Sequence, residues 1–173
     1  MENDIRLRYD RARPGVPDGT AITVLHIGEK QTAVATGSAS EPDAVLVLAI
    51  GSKKTVADFF KHTPPTPGEL ENAIMVIEDE LTRLRKITSA ASTLFTAGTE
   101  IREIALVAGV SEHPEMILAL DAVEQTFDRL AALTLGRPAS SAGIPASATF
   151  AATLLILREF MHHLQFASIT VTA

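Results

Sequence analysis

The sequence has no cysteine and no tryptophan, a single tyrosine, and no apolar run long enough to cross a membrane. Without cysteine there are no disulfides, no thiolate nucleophile and no thiolate-ligated zinc or iron–sulfur centre, and the redox compartment is left open. The apolar run from Ala148 to Leu157 is about half the roughly 20 residues that span a bilayer, and Arg158 and Glu159 end it. It reads as a core helix. The opening Met1-Glu-Asn-Asp-Ile-Arg-Leu-Arg lacks the apolar centre of a secretory signal, so a cytoplasmic location is expected. Basic charge is scarce too. With 15 Lys and Arg against 21 Asp and Glu, and a net charge of −6, no basic face exists to neutralise phosphates, which excludes nucleic acid as a partner.

What is abundant is apolar surface. Hydrophobic residues make up 46% of the 173 and charged residues 21%, which suffices for one domain with a true core and leaves a surplus for a subunit interface. A single domain, residues 1–173, forming a homodimer is the expectation.

Polar and apolar residues alternate through the first fifty positions, and the two-residue period predicts strands, beginning with Asp4 to Tyr9. After the Pro- and Gly-rich break at Arg13 to Gly19, Thr20–Ile27 and Gln31–Thr36 read as a hairpin closed by Gly28-Glu-Lys30. Ala44 to Ile50 is apolar throughout and predicts a strand covered on both faces or central in the sheet. From Gly51 the period becomes helical, first over Thr55 to Lys61. In Thr63-Pro-Pro-Thr-Pro-Gly-Glu69, Thr66 stands as N-cap, Pro67 opens the helix and Glu69 completes a capping box, predicting a helix to about Lys86. Ile87 to Gly98 fits either a helix extension or a strand. Further helices are expected from about Glu100 to Ala108, ending at Gly109, and from Ser111-Glu-His-Pro114 to about Leu135, with the loop Arg137–Ala146 before the last helix. Ser168 to Thr172 is β-rich and predicts a strand returning to the N-terminal sheet. The fold class is therefore α+β: a mainly antiparallel sheet of N-terminal strands plus the C-terminal one, with three or more long helices on one face.

The chemistry-bearing residues gather in two places. The core helix turns into Arg158-Glu-Phe-Met-His-His163, four ionisable side chains in six residues. Glu159 with His162 forms a Glu-x-x-His pair that resembles half of the ligand set in ferritin-like dimetal carboxylate proteins. That resemblance implies two more carboxylates. Glu78 and Glu124, equivalent positions in a weak echo between Ala73–Leu84 and Ala119–Leu130, are the residues that would supply them. The plain alternative is a wet helix end where two histidines complement the helix dipole. The second place is Ile50-Gly-Ser-Lys-Lys-Thr55, where a buried strand passes through glycine into a helix start beside two lysines. Gly51, Ser52, Lys53 and Thr55 are candidate anion-binding residues, without the spacing of a Walker loop.

The hairpin His26-Ile-Gly-Glu-Lys30 resembles the first phosphate hairpin of actin-like ATPases, but His26 stands where those proteins carry an acidic residue. The chain is also too short for their two lobes, so the resemblance is set aside. His62 and His113 flank proline-containing helix starts and read as solvated caps, and Ser140 and Ser141 lie in no nucleophile-elbow pattern. Cofactor and metal are left unknown by these residues. The main expectation is a non-catalytic or regulatory interaction module that acts through oligomerisation, with a possible small anionic ligand and no membrane partner. The alternative is a small-molecule enzyme with an acid–base or metal site at Glu159, His162 and His163, backed by Arg158.

Overall fold

A computed structural model describes residues 1–173. Six strands form one mixed sheet: β1 (Ile22–Ile27), β2 (Thr32–Gly37), β3 (Ala44–Leu48), β4 (Thr93–Thr96), β5 (Glu115–Ala119) and β6 (Ser168–Thr172), in the spatial order β3-β2-β1-β4-β6-β5. Seven α-helices accompany them: α1 (Glu2–Ala12), α2 (Ser52–Phe59), α3 (Pro67–Thr82), α4 (Thr99–Val107), α5 (Leu120–Thr134), α6 (Ala139–Ala142) and α7 (Ala148–His163). β2 is antiparallel to both β1 and β3, while β4 is parallel to both β1 and β6, so β1, β3, β4 and β6 all point the same way. Only β2 and β5 run against them. The α+β expectation holds, and the mainly antiparallel one is corrected to a mixed sheet. The reason is connectivity: the long helical segments before β4 and β6 give the chain room to return parallel to β1 and β4, which a tight hairpin cannot do.

Alternation along the strands sorts side chains to two faces. Leu25, Ile27, Val34, Leu48 and Leu94 join the 35-residue main core beneath the helical layer, whereas Ile22, Val24, Ala33 and Ala35 face the other way, onto Ile5 and Tyr9 of α1. Helices thus cover both faces, not one. The expected strand at Asp4 to Tyr9 is that covering helix: Ile5 and Tyr9, four residues apart, are buried, and Leu7 between them is 56% exposed. Four-residue spacing is a helical face, and the alternation was incidental. β3 lies at the sheet edge but is covered on both faces, Leu46 packing on the main core and Val45 and Val47 on the α1 side.

The strongest local expectation is met in full. Thr66 Oγ1 accepts the Glu69 backbone N–H and Glu69 Oε2 accepts that of Thr66, so the capping box at the start of α3 is closed on both sides. Ser147 caps α7 by accepting from the Phe150 N–H. The helix expected from Ser111 is corrected. Residues 115–119 are the edge strand β5, with Met116 and Leu118 buried and Glu115, Ile117 and Ala119 outward, and α5 begins only at Leu120. β6 returns to the sheet as expected, between β4 and β5. No helix is long and apolar enough to cross a membrane.

α7 is the hub of the helical layer. Every residue from Phe150 to Leu157 is buried, as are Glu159, Phe160 and Met161. A helix buried all round needs apolar residues all round, which Phe150-Ala-Ala-Thr-Leu-Leu-Ile-Leu157 provides.

Candidate functional site

Because β1, β3 and β4 are parallel, their carboxyl ends meet at one edge of the sheet, where α/β folds place their ligands. Each end leads into a polar segment. β1 passes into Gly28 and Glu29, β3 through Gly51 into α2, and β4 through Gly98 into α4. A pocket of about 130 Å³ opens there, lined by Glu29, Ser52, Lys53, Glu100, Glu103, Ser147, Thr149, Phe150 and Thr153. The starts of α2, α4 and α7 therefore share one cavity, and each brings the partial positive charge of a helix N-terminus. Thr32 and Thr96, on the helical side of the sheet at this same edge, have buried hydroxyls with no hydrogen-bond partner.

The candidate anion residues sit at this pocket, but not in the way expected of them. Ser52 and Lys53 line it, whereas Thr55 is buried behind them and Gly51 is packed against the hairpin. The first N–H groups of α2 are spent on that hairpin: Ser52 N–H donates to Gly28 O and Lys54 N–H to Glu29 O, both at 2.9 Å. An anion here would meet the Lys53 ammonium and the Ser52 hydroxyl in place of a backbone cradle. Lys53 Nζ lies 2.5 Å from Glu29 Oε1. α4 differs: its N-cap is Gly98, no side chain caps it, and Glu100 falls in its first turn. The hairpin set aside on sequence grounds thus contributes Glu29 to the pocket. His26 is on the other sheet face, 3.8 Å from Asp4, where burial holds its imidazole below the usual pKa.

The second group lies at the far end of α7, about 24 Å along the helix from Ser147. The structure brings together Glu159 and His163, one turn apart, and adds Glu78 from α3: His163 Nε2 is 3.2 Å from Glu159 Oε2 and 3.0 Å from Glu78 Oε1. His162 turns away to Glu124 of α5, with Nδ1 3.1 Å from Oε1. Glu159 therefore partners His163 rather than His162, as one full helical turn brings i and i+4 closer to one face than i and i+3. Arg158 hydrogen-bonds only its neighbour, Nη1 donating to Glu159 Oε1 at 2.5 Å, while its Nε is buried without a partner and its guanidinium lies 4.6 Å from the centre of the Phe127 ring.

Sequence reasoning missed Glu29, Glu100, Glu103, Ser147 and Thr149. The only signal was a glycine at each strand end, and it acquires meaning once the sheet order is known. His62 is exposed beside the start of α3 and bonds Glu69, as expected, whereas His113, though exposed, precedes strand β5 and caps no helix.

No family model and no curated protein sequence matches this chain. Solved structures do. The PPX-GPPA enzyme of Aquifex aeolicus superimposes with a TM-score of 0.79 at 20% identity over 99% of this chain. An exopolyphosphatase from Cytophaga hutchinsonii gives 0.73 at 17% identity, again over 99%. The fold resembles that of the Ppx/GppA phosphatases. At such identity the likeness is one of fold, and this chain spans 59% of the length of each of those chains. The expectation of a non-catalytic interaction module with no assignable function is overturned, because the solved structures sharing the Ppx/GppA fold are named phosphatases and exopolyphosphatases. The small-molecule enzyme is the better-supported alternative.

Proposed function

We propose that this chain is a phosphate-handling enzyme domain whose substrate site is the pocket at the carboxyl ends of β1, β3 and β4. The observation that carries the reading is the convergence of the starts of α2, α4 and α7 on one cavity in a fold resembling phosphatases. Lys53 and the Ser52, Ser147 and Thr149 hydroxyls are the groups suited to hold phosphate oxygens, and the uncapped start of α4 adds backbone donors. Glu100 or Glu103 accepts the proton of the attacking water as its oxygen bonds phosphorus and the phosphate leaving group departs.

Three carboxylates against one lysine leave the lining net negative, which would repel a bare polyphosphate. Glu29, Glu100 and Glu103 are the residues that would hold a divalent cation such as Mg²⁺ brought in with the substrate, and that cation would offset the charge of the phosphates. The test is orthophosphate release from inorganic polyphosphate with Mg²⁺, read beside the shift in Tm that polyphosphate produces. Activity lost in Glu100→Gln and Glu103→Gln, with the Tm shift lost in Lys53→Ala, supports the reading. Neither hydrolysis nor a Mg²⁺-dependent Tm shift in the native chain overturns it.

A further inference from the structure

The cluster at the other end of α7 is separate from that pocket, and its geometry does not depend on the phosphatase reading. The Nε2 of His163 and one carboxylate oxygen each from Glu78 and Glu159 all lie within 4.8 Å of one another. Two of the edges of that triangle are 3.0 and 3.2 Å. Bonds of about 2.0–2.1 Å to a tetrahedral zinc ion set its ligand atoms roughly 3.3 Å apart, so the two edges at His163 already match a coordination face, and the third lies within 4.8 Å.

Proton counting shows that the cluster is incomplete as a hydrogen-bonded group. Glu159 is 2% exposed, and Arg158 takes its Oε1, leaving Oε2 to His163 Nε2. That nitrogen carries one hydrogen at most, and its hydrogen bond goes to Glu78 Oε1. The buried Glu159 Oε2 and Glu78 Oε1 thus converge on a single Nε2 hydrogen, and two carboxylates held this close are costly unless a positive charge meets them. A cation bonded to all three atoms would meet them. Against two carboxylates and the Arg158 guanidinium, a dication leaves one surplus positive charge for an anionic fourth ligand. A polar cleft of about 340 Å³, lined by Arg85, Thr88, Gln165 and His163 itself, gives water or a small anion a way to that position.

We infer that Glu78, Glu159 and His163 form a site for a divalent transition-metal ion, with an open fourth position facing the Arg85 cleft. An imidazole nitrogen with two carboxylates suits zinc or manganese better than magnesium or calcium, which prefer all-oxygen shells. His162 and Glu124, though adjacent, are outside the site, because His162 Nδ1 is engaged 3.1 Å from Glu124.

Isothermal titration of the metal-stripped protein with Zn²⁺ tests this directly. The native chain should bind one equivalent in the micromolar range or tighter and gain Tm with added Zn²⁺. Glu78→Gln and His163→Gln, both on partly exposed positions, should keep the metal-free Tm. They should weaken Zn²⁺ binding by more than the roughly 10- to 100-fold cost of an outer-sphere change, while Glu124→Gln and His162→Gln leave it unaltered. No micromolar binding by the native chain, or equal binding by the Glu78 and His163 variants, overturns the site. Since the readout is metal affinity, it stands or falls apart from polyphosphate hydrolysis.

Discussion

The carbonyl oxygen of Gly28 accepts the backbone N–H of Ser52 at 2.9 Å, tying the tip of the β1–β2 hairpin to the start of α2. A Cβ on Gly51 would come within 2.5 Å of the Lys30 carbonyl carbon and 2.6 Å of the Gln31 nitrogen, all backbone. Gly51→Ala therefore forces the two segments apart. The expected loss is about 1–3 kcal/mol in urea unfolding, the usual range for overpacking, together with weaker polyphosphate binding as Lys53 moves off the pocket. Native-like stability in this variant would show that the contact is not tight.

Removing the Thr66 hydroxyl should cost about 1 kcal/mol, the ordinary value of an N-cap, because Glu69 N–H loses its acceptor. Thr66→Ala and Thr66→Ser measured by chemical denaturation decide it. The serine variant should keep most of the stability.

Glu69 also predicts a pH dependence. Hydrogen bonds from the Thr66 backbone first, then from His62 and the Lys61 backbone, hold its carboxyl at about 2 against an ordinary 4.5. A lowered carboxyl pKa stabilises the fold above the ordinary value, and the contribution disappears as pH falls through the folded one. The native chain should thus lose stability relative to Glu69→Gln between about pH 4.5 and 2. Identical acid-unfolding slopes for the two proteins would contradict the assignment.

Arg158 has a structural task that a substitution exposes. With Arg158→Ala, the buried Glu159 carboxylate keeps only His163, and stability should fall by about 3 kcal/mol, the cost of leaving one member of a buried pair behind. The double variant Arg158→Met with Glu159→Gln should recover part of that loss. If it is instead worse than Arg158→Ala alone, the pair is not what the guanidinium supports.

Much of this architecture is written in local patterns. The capping box at Thr66, the hairpin between Ile27 and Thr32, the returning strand at Ser168 and the buried run of α7 all follow from spacing that acts within a few residues. Periodicity misassigns α1 and β5 because short segments satisfy two periods at once. Ile5, Leu7 and Tyr9 alternate, and only packing shows that Leu7 is outside. Glu115 to Ala119 follows a proline at a capping pattern, and pairing with β6 draws it into the sheet.

The sites were legible as residue types and not as places. Glu78 reaches His163 across 85 positions and Glu124 reaches His162 across 38, from helices on either side of α7. Both glutamates stand at equivalent places in the echo between their segments, but nothing local says that they meet consecutive histidines. The pocket residues are harder still, since Glu29, Lys53 and Glu100 become neighbours only when β1, β3 and β4 are known to run in parallel.

The α1 helix has a practical consequence. The second sheet face is sealed by one helix, through a six-residue cluster separate from the 35-residue core, and the Arg13–Gly19 turn is its tether. A protease cut in that turn would leave the main core intact while freeing α1 to leave, uncovering Val24, Ala33 and Ala35 as a flat β surface. Nicked protein should therefore lose the helical signal of α1, an isolated helix too short to persist in water, and self-associate, so its shelf life depends on seven residues remote from both sites.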